Sequence, residues 1–329
     1  MKLVSIIISC YNAQDFISET INSLLHQVYR NFEIIIVDDG STDETCSILQ
    51  RLSQQDERIR IIPTQHIGAS AAKNIGLAQC RGEYIAISDA DDLSYCRRLQ
   101  AQVEYLNLHP QIGLIGTNYD YINAKGEIYN SFDYSQIRQQ GNFSDYLKQE
   151  LYQCRNPFLH SSVMFRKSLL TQVSGYDESF RAALDYDFIL RISEFTEIDI
   201  FPEFLAAWRK HDTQITFHRF LEQQENTFIS VIRHLQKLIR EGVNPNEIDQ
   251  WLLYLKAANE HKAAFEKKRE KGVVEKQHLY NEACLQFHVQ KNYAKAGGLF
   301  KELLNKRGRT INDFKACAYF LACALKINS

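Results

Sequence analysis

Gly82-Glu83-Tyr84-Ile85-Ala86-Ile87-Ser88-Asp89-Ala90-Asp91-Asp92 joins an apolar run to three carboxylates within four residues. Tyr84 to Ile87 reads as a strand buried on both faces, because apolar side chains follow one another without polar alternation. The acids that end it repel one another unless positive charge sits among them. At the C-terminal end of a parallel strand, that charge is commonly a divalent cation carrying a phosphorylated ligand. The same residues also suit a solvated turn capping the next helix, since Asp is a favoured N-cap. Taken alone, the stretch leaves both open.

Upstream, the same pattern repeats. Leu3 to Ser9 is a β-branched run, followed by a helical pattern with Phe16, Ile17, Ile21, Leu24, Leu25 and Val28 on one face. Phe32 to Val37 reads as a second strand ending in Asp38-Asp39-Gly40-Ser41-Thr42-Asp43, then a helix to about Gln54, then a strand from Arg60 to Pro63. Gly68-Ala69-Ser70 opens a third helix, through Lys73 and Asn74 to Ala78. Strands and helices alternating this way predict an α/β fold with a doubly wound, mostly parallel sheet and flanking helices.

Downstream, a helix is expected from Tyr95 to Leu108 and a strand from Ile112 to Gly116. The Tyr-rich stretch from Tyr119 to Phe143 reads as a hairpin and a loop, a natural place for substrate contacts. Phe158 to Phe165 reads as a strand, Leu184 to Phe195 as a helix, and Phe204 to Trp208 as the last strand. From about Phe220 the strand signals vanish, so residues 1–219 form one domain and 220–329 a C-terminal all-α extension. Within that extension Tyr293 to Leu304 resembles a single tetratricopeptide unit, and a stable array needs about three. A helical tail packed on the first domain is therefore expected ahead of a peptide-binding array, with protein contacts the alternative role.

Composition excludes several classes. The 329 residues carry 38 Lys and Arg against 40 Asp and Glu, a formal charge of −2, so no basic field points to nucleic acid. Eight cysteines lie scattered with no C-x-x-C spacing, the usage of reduced thiols in a cytoplasmic protein. No run approaches 18 apolar residues, so the expectation is a chain in the cytoplasm or peripheral on the inner face of the membrane.

Three turns fall at strand ends: Ser9-Cys10-Tyr11-Asn12, Val37 to Asp43, and Asp89 to Asp92. A parallel sheet gathers such ends into one crevice. In order and joint occurrence they resemble the family 2 glycosyltransferases, which have the nucleotide-diphospho-sugar transferase (GT-A) fold. The resemblance covers about residues 3–216. It implies an inverting, metal-dependent and non-processive enzyme of polysaccharide or other cell-surface glycan biosynthesis. Such an enzyme moves a sugar from a nucleotide donor, first a UDP-sugar, to the hydroxyl of a glycan or lipid-linked acceptor. The Gln-x-x-Arg-Trp motif and membrane spans of the family's processive synthases are absent from the sequence.

The resemblance also distributes roles. Ser9, Tyr11, Asp39, Lys73, Asp89 and His211 fall at nucleotide-binding positions. Asp91 with Asp89 would hold Mn2+ or Mg2+, leaving Asp92 to cap a helix. For Asp38 and Asp39 helix capping is the competing role. Lys73 stands where the family's Gly-x-Ser-x-Ala-Arg-Asn stretch has Arg, and a solvated helix lysine is the alternative. Ala183-Leu184-Asp185-Tyr186-Asp187 resembles the Glu-Asp-x-Asp segment that supplies the catalytic base, here Asp185. Leu184 replaces the family's Glu, and Asp187 reads as a first-turn acid favoured by the helix dipole. His160 is either an acceptor-side group or a hydrogen-bonded structural residue. Arg209 either belongs to an Arg-x-His segment with His211 or lies on the surface. A non-catalytic binding protein with a degenerate transferase domain is the rival to an enzyme, as Leu184 and Lys73 depart from the pattern.

Overall fold

The computed structural model describes residues 1–139 and 142–211, with a few helical positions between 222 and 237. The chain divides into two compact units. The first is Met1–Lys148 with Asn156–His218; Gln149–Arg155 and the chain from Arg219 onward belong to the second. In the second unit Arg155 pairs with Glu150 at 2.5 Å, and the rings of Tyr152 and His234 stack at 5.2 Å. The expected tetratricopeptide-like stretch and most of the helical extension lie outside the described residues.

The first unit opens with β1 (Val4–Cys10), α1 (Ile17–Leu25), β2 (Phe32–Asp38), α2 (Thr45–Gln55), β3 (Ile59–Pro63), α3 (Ala69–Gln79) and β4 (Tyr84–Ile87). β5 (Leu93–Ser94), α4 (Arg98–Leu108), β6 (Ile112–Ile122), β7 (Ile128–Phe132) and α5 (Phe143–Tyr152) follow, the last running into the second unit. β8 (Met164–Arg166), α6 (Leu170–Val173), α7 (Leu184–Ser193) and β9 (Glu197–Arg209) complete it. One sheet runs β3-β2-β1-β4-β8-β6-β9-β5, with β7 paired to the far half of β6. β3, β2, β1 and β4 are parallel, as alternation with helices requires. Beyond β4 the sheet is mixed: β8 runs antiparallel to both β4 and β6, β6 is parallel to β9, and β5 is antiparallel to β9.

Burial explains the elements. Ile6, Ile7, Ile8, Ile34, Ile35 and Ile36 are all fully buried, since helices cover both faces of the parallel half. α1 buries Ile17, Thr20, Ile21 and Leu24, the i, i+3, i+4, i+7 stripe of a half-exposed helix. α3 buries Ser70, Ala72, Lys73, Gly76 and Leu77, and its small residues let it approach the sheet closely. A Cβ on Gly76 would lie 2.7 Å from Ile7 Cγ2.

Several expectations need correction. The helix expected at Tyr95 begins at Arg98. Leu93 and Ser94 pair with β9 instead, and the Tyr95 N–H donates to the Leu205 carbonyl. β6 and β9 extend well beyond the apolar runs that announced them, because each satisfies the other's backbone over the longest ladder in the sheet. Phe158 to Phe165 is mostly not a strand. Residues His160–Ser162 form a 3-10 turn, closed by the Val163 N–H on the His160 carbonyl, and only Met164–Arg166 pair. The fully buried Arg98 fixes that turn to the sheet, donating from Nη2 to the carbonyls of Ile87 (2.9 Å) and Val163 (3.1 Å).

Candidate active site

The site is assembled at the C-terminal ends of β1, β2, β3 and β4, closed by the 160–162 turn, α7 and the end of β9. Tyr11 follows β1, is 45% exposed, and lies against the ring of His66, 4.1 Å between centroids. Asp39 follows β2 and is buried. Its carboxylate accepts the backbone N–H groups of Ile67 (2.8 Å) and Gly68 (2.9 Å) and the hydroxyl of Thr64 (3.2 Å), and His66 Nδ1 lies 3.2 Å away. Asp39 therefore holds the loop between β3 and α3, where Gly68 takes a φ of 99° favourable to glycine. Asp38 accepts the Ser41 N–H at 3.1 Å, and Asp43 accepts the Thr45 N–H at 3.0 Å. Neither Asp38 nor Asp39 caps α2. His66 was given no role from sequence, although its place after β3 is the same strand-end signal that picked out Asp39.

Lys73 is not a solvated lysine. It lies on the buried face of α3, 3% exposed, and its Nζ donates to Asp89 Oδ1 at 3.0 Å. Asp89 also lies 3.2 Å from His160 Nδ1 and accepts from Ser161 Oγ at 3.2 Å. Burial pushes the Asp89 carboxyl up, but the Lys73 ammonium and the His160 ring outweigh it and hold the group well below the usual carboxylate range. A carboxylate on Nδ1 makes that nitrogen the donor, so Nε2 of a neutral His160 accepts from the Tyr176 hydroxyl at 3.0 Å. His160 is thus buried and hydrogen-bonded on both nitrogens. The Tyr176 phenol is raised by burial first and then by the charges of Asp89 and Asp185.

Asp91 Oδ2 lies 2.9 Å from His211 Nε2, and the His211 ring rests on Phe16 at 4.6 Å. Asp92 does not cap the following helix. It is buried, accepts from Ser161 Oγ and from the Arg209 N–H, and so ties the acidic turn to the 160–162 turn and to β9. Arg209 is fully buried: Nε donates to the Asp91 carbonyl at 2.8 Å and Nη2 pairs with Glu19 at 2.7 Å. The surface alternative for Arg209 is excluded. Among the described residues no group of three or more His, Cys, Asp or Glu is arranged to hold a metal ion. The two-donor set Asp91 and His211 still fits a divalent cation that takes its remaining ligands from phosphate and water. Asp89 fits less well, since an ammonium already occupies it.

Asp185 lies in the first turn of α7 and accepts from Asn156 Nδ2 at 2.8 Å; Asn156 was not singled out in the sequence. Asp187 is turned inward and pairs with Arg191 at 2.7 Å along the helix. Leu184 is buried, and the preceding Ala183 takes a left-handed φ of 55° that starts the helix. Ser9 is partly exposed at the end of β1.

Residues 5–172, just over half of the chain, match the family described as Glycosyl transferase family 2. The chain belongs to that family. An uncharacterised glycosyltransferase of Haemophilus influenzae is 32% identical over 228 residues, 68% of this chain and 70% of that one. This family 2 member is a glycosyltransferase, and its GT-A fold is shared with solved structures. Staphylococcus aureus TarS residues 1–349, in complex with UDP-GlcNAc, superposes with a TM-score of 0.68 at 16% identity, covering 100% of this chain and 92% of that one. The mannosyltransferase PcManGT of Pyrobaculum calidifontis, in complex with GDP-Man and Mn2+, gives 0.54 at 20% identity over 98% and 86%. No helix among the described residues is long and apolar enough to cross a membrane.

Proposed function

We propose that this glycosyltransferase moves one sugar, with inversion, from a nucleoside-diphosphate sugar to an acceptor hydroxyl. The observation that carries the proposal is the Asp91–His211 pair, 2.9 Å apart, which joins the acidic turn after β4 to the end of β9. Mn2+ or Mg2+ held by Asp91 with His211 would neutralise charge gathering on the departing diphosphate. Lys73, with one of its three N–H donors on Asp89, has others to offer phosphate oxygens. Tyr11 and His66 present a paired aromatic surface to the nucleotide base, and Asp39 holds the loop carrying His66 in place.

Asp185 takes the proton of the acceptor hydroxyl as that oxygen bonds to the anomeric carbon and the bond to the diphosphate breaks. One base and one leaving-group stabiliser suffice for a single displacement. The UDP-GlcNAc and GDP-Man held by the two solved structures support a nucleotide-sugar donor, with a UDP-sugar first. We place the chain in the cytoplasm or peripheral on the inner membrane face, in polysaccharide biosynthesis, with residues 220–329 as a helical accessory region.

The test is a calorimetric titration of UDP- and GDP-sugars, with and without Mn2+, against the parent, Asp91→Ala and His211→Ala. Mn2+ should strengthen donor binding to the parent at least about tenfold, about 1.4 kcal/mol, and each variant should lose that gain. Equal parental affinity with and without metal would sink the metal assignment.

A further inference from the structure

The hairpin of β6 and β7, with the end of β9, carries an aromatic surface that the transfer chemistry does not use. Tyr119 and Tyr121 are two apart on β6 and so share a face. Phe132 is the cross-strand partner of Tyr119, and Trp208 that of Tyr121. The rings form a continuous chain. Phe132 stacks on Tyr119 at 5.5 Å, and Tyr119 meets Tyr121 at 5.3 Å. Tyr121 in turn meets Trp208 at 5.3 Å and Tyr129 at 6.1 Å. Tyr129 is 53% and Phe132 37% exposed, and every residue of β7 is exposed. Tyr119, Tyr121 and Trp208 are half-buried and join these two exposed rings into one aromatic surface, the kind of patch that marks a contact site.

We propose that this face binds the carbohydrate acceptor, holding sugar units beyond the one that reacts; this rests on the proposed transfer to an acceptor hydroxyl. Two observations select that occupant. The first is continuity with the site. Arg209, whose Nε donates to the Asp91 carbonyl at 2.8 Å, also donates from Nη1 to the Ala124 carbonyl at 3.2 Å in the turn between β6 and β7, so one side chain ties the hairpin to the acidic turn. The second is chemistry. The C–H faces of a sugar ring carry slight positive charge and sit on the negative faces of aromatic rings, while its rim of hydroxyls needs polar partners. Here those partners are interleaved. The phenol oxygens of Tyr119 and Tyr121 lie 3.4 Å apart, and exposed Asn130 stands across from Tyr121. A lipid surface is recognised instead by apolar groups flanked by Lys and Arg. Ile128-Tyr129-Asn130-Ser131-Phe132 has no charged residue. The ligand class is a neutral oligosaccharide of at least two linked rings.

The experiment uses the full chain and saturation-transfer NMR. The probes are neutral chito-, manno-, malto- and cello-oligosaccharides of four to six units, alongside vesicles of phosphatidylcholine and phosphatidylglycerol. UDP and GDP binding with Mn2+ is measured on the same samples. At least one oligosaccharide series should bind the parent, and Tyr129→Ala and Phe132→Ala should each weaken it, the double variant by about tenfold. Nucleotide affinity should stay within about twofold, reporting an intact fold for substitutions on an exposed edge strand. The proposal is overturned if no series binds the parent or if the double variant binds as the parent does. It is equally overturned if the vesicles alone bind and lose that binding with the substitutions. Oligosaccharide binding lost as expected in a protein that binds no nucleotide would instead remove the proposed donor chemistry and leave the aromatic surface standing.

Discussion

At the residue scale, the proposed base and its neighbour make separable predictions. Asp185→Asn removes the only group assigned to take the acceptor proton, so kcat should fall by about a thousandfold while donor affinity is unchanged. Unchanged turnover would reject the assignment. Asn156 holds one Asp185 oxygen at 2.8 Å without any assigned contact with substrate. Asn156→Ala should lower kcat about tenfold through lost orientation and leave the donor KM unaltered. An equal rise in donor KM would point to general disruption instead. The replacements at Lys73 and Leu184 have different consequences. Lys73 keeps a cation in contact with Asp89, although an ammonium gives a point charge in place of a planar fork. Leu184 is buried and offers no charge, leaving Asn156 as the observed polar partner of Asp185.

At the element scale, the placing of α3 on the sheet decides where Lys73 and the Gly68 loop stand. Gly76 lets the helix touch β1, and a methyl there would meet Ile7 Cγ2 at 2.7 Å. Gly76→Ala should cost about 1–3 kcal/mol in urea unfolding. It should also weaken donor binding, because Ser70 and Lys73 share the displaced face. The opposite end of the same strands is held by Glu33 of β2. Burial pushes its carboxyl up, but hydrogen bonds from Ser5 and Arg81 and the Arg81 charge outweigh this and hold it below its ordinary value of 4.5. A group lowered on folding adds stability that is complete above that value and lost as pH falls through the folded one. Urea midpoints between pH 6 and pH 3 should therefore fall less steeply for Glu33→Gln, which starts about 2 kcal/mol less stable at neutral pH. A parallel acid limb in the two proteins would remove Glu33 from the account.

At the scale of the whole molecule, the parallel half of the sheet gathers the groups proposed to bind the nucleotide, and the mixed half supplies the 160–162 turn and the aromatic hairpin. The chain also comprises two compact units. If each unfolds cooperatively, scanning calorimetry should resolve two transitions. UDP with Mn2+ at a hundred times its Kd should stabilise the first unit alone, by about 2.7 kcal/mol. A single transition raised as a whole would mean that the two unfold as one.

The first four strands, three helices and carboxylate turns were legible in the sequence because each is local. Buried parallel strands are continuous apolar runs, and strand ends carry the residues that must leave the core. The order of those turns was enough to indicate the family. Long-range partners were not legible. The lengths of β6 and β9 come from a mutual ladder, and Lys73 and Arg209 are buried because distant carboxyl and carbonyl groups receive them. Asp92 was displaced from its capping role by a two-residue strand whose partner lies more than a hundred residues away. Sequence determined the local elements and the kinds of side chain at each strand end. Tertiary structure alone decided which of those side chains meet, since a hydrogen bond or ion pair across the sheet leaves no local periodicity to read.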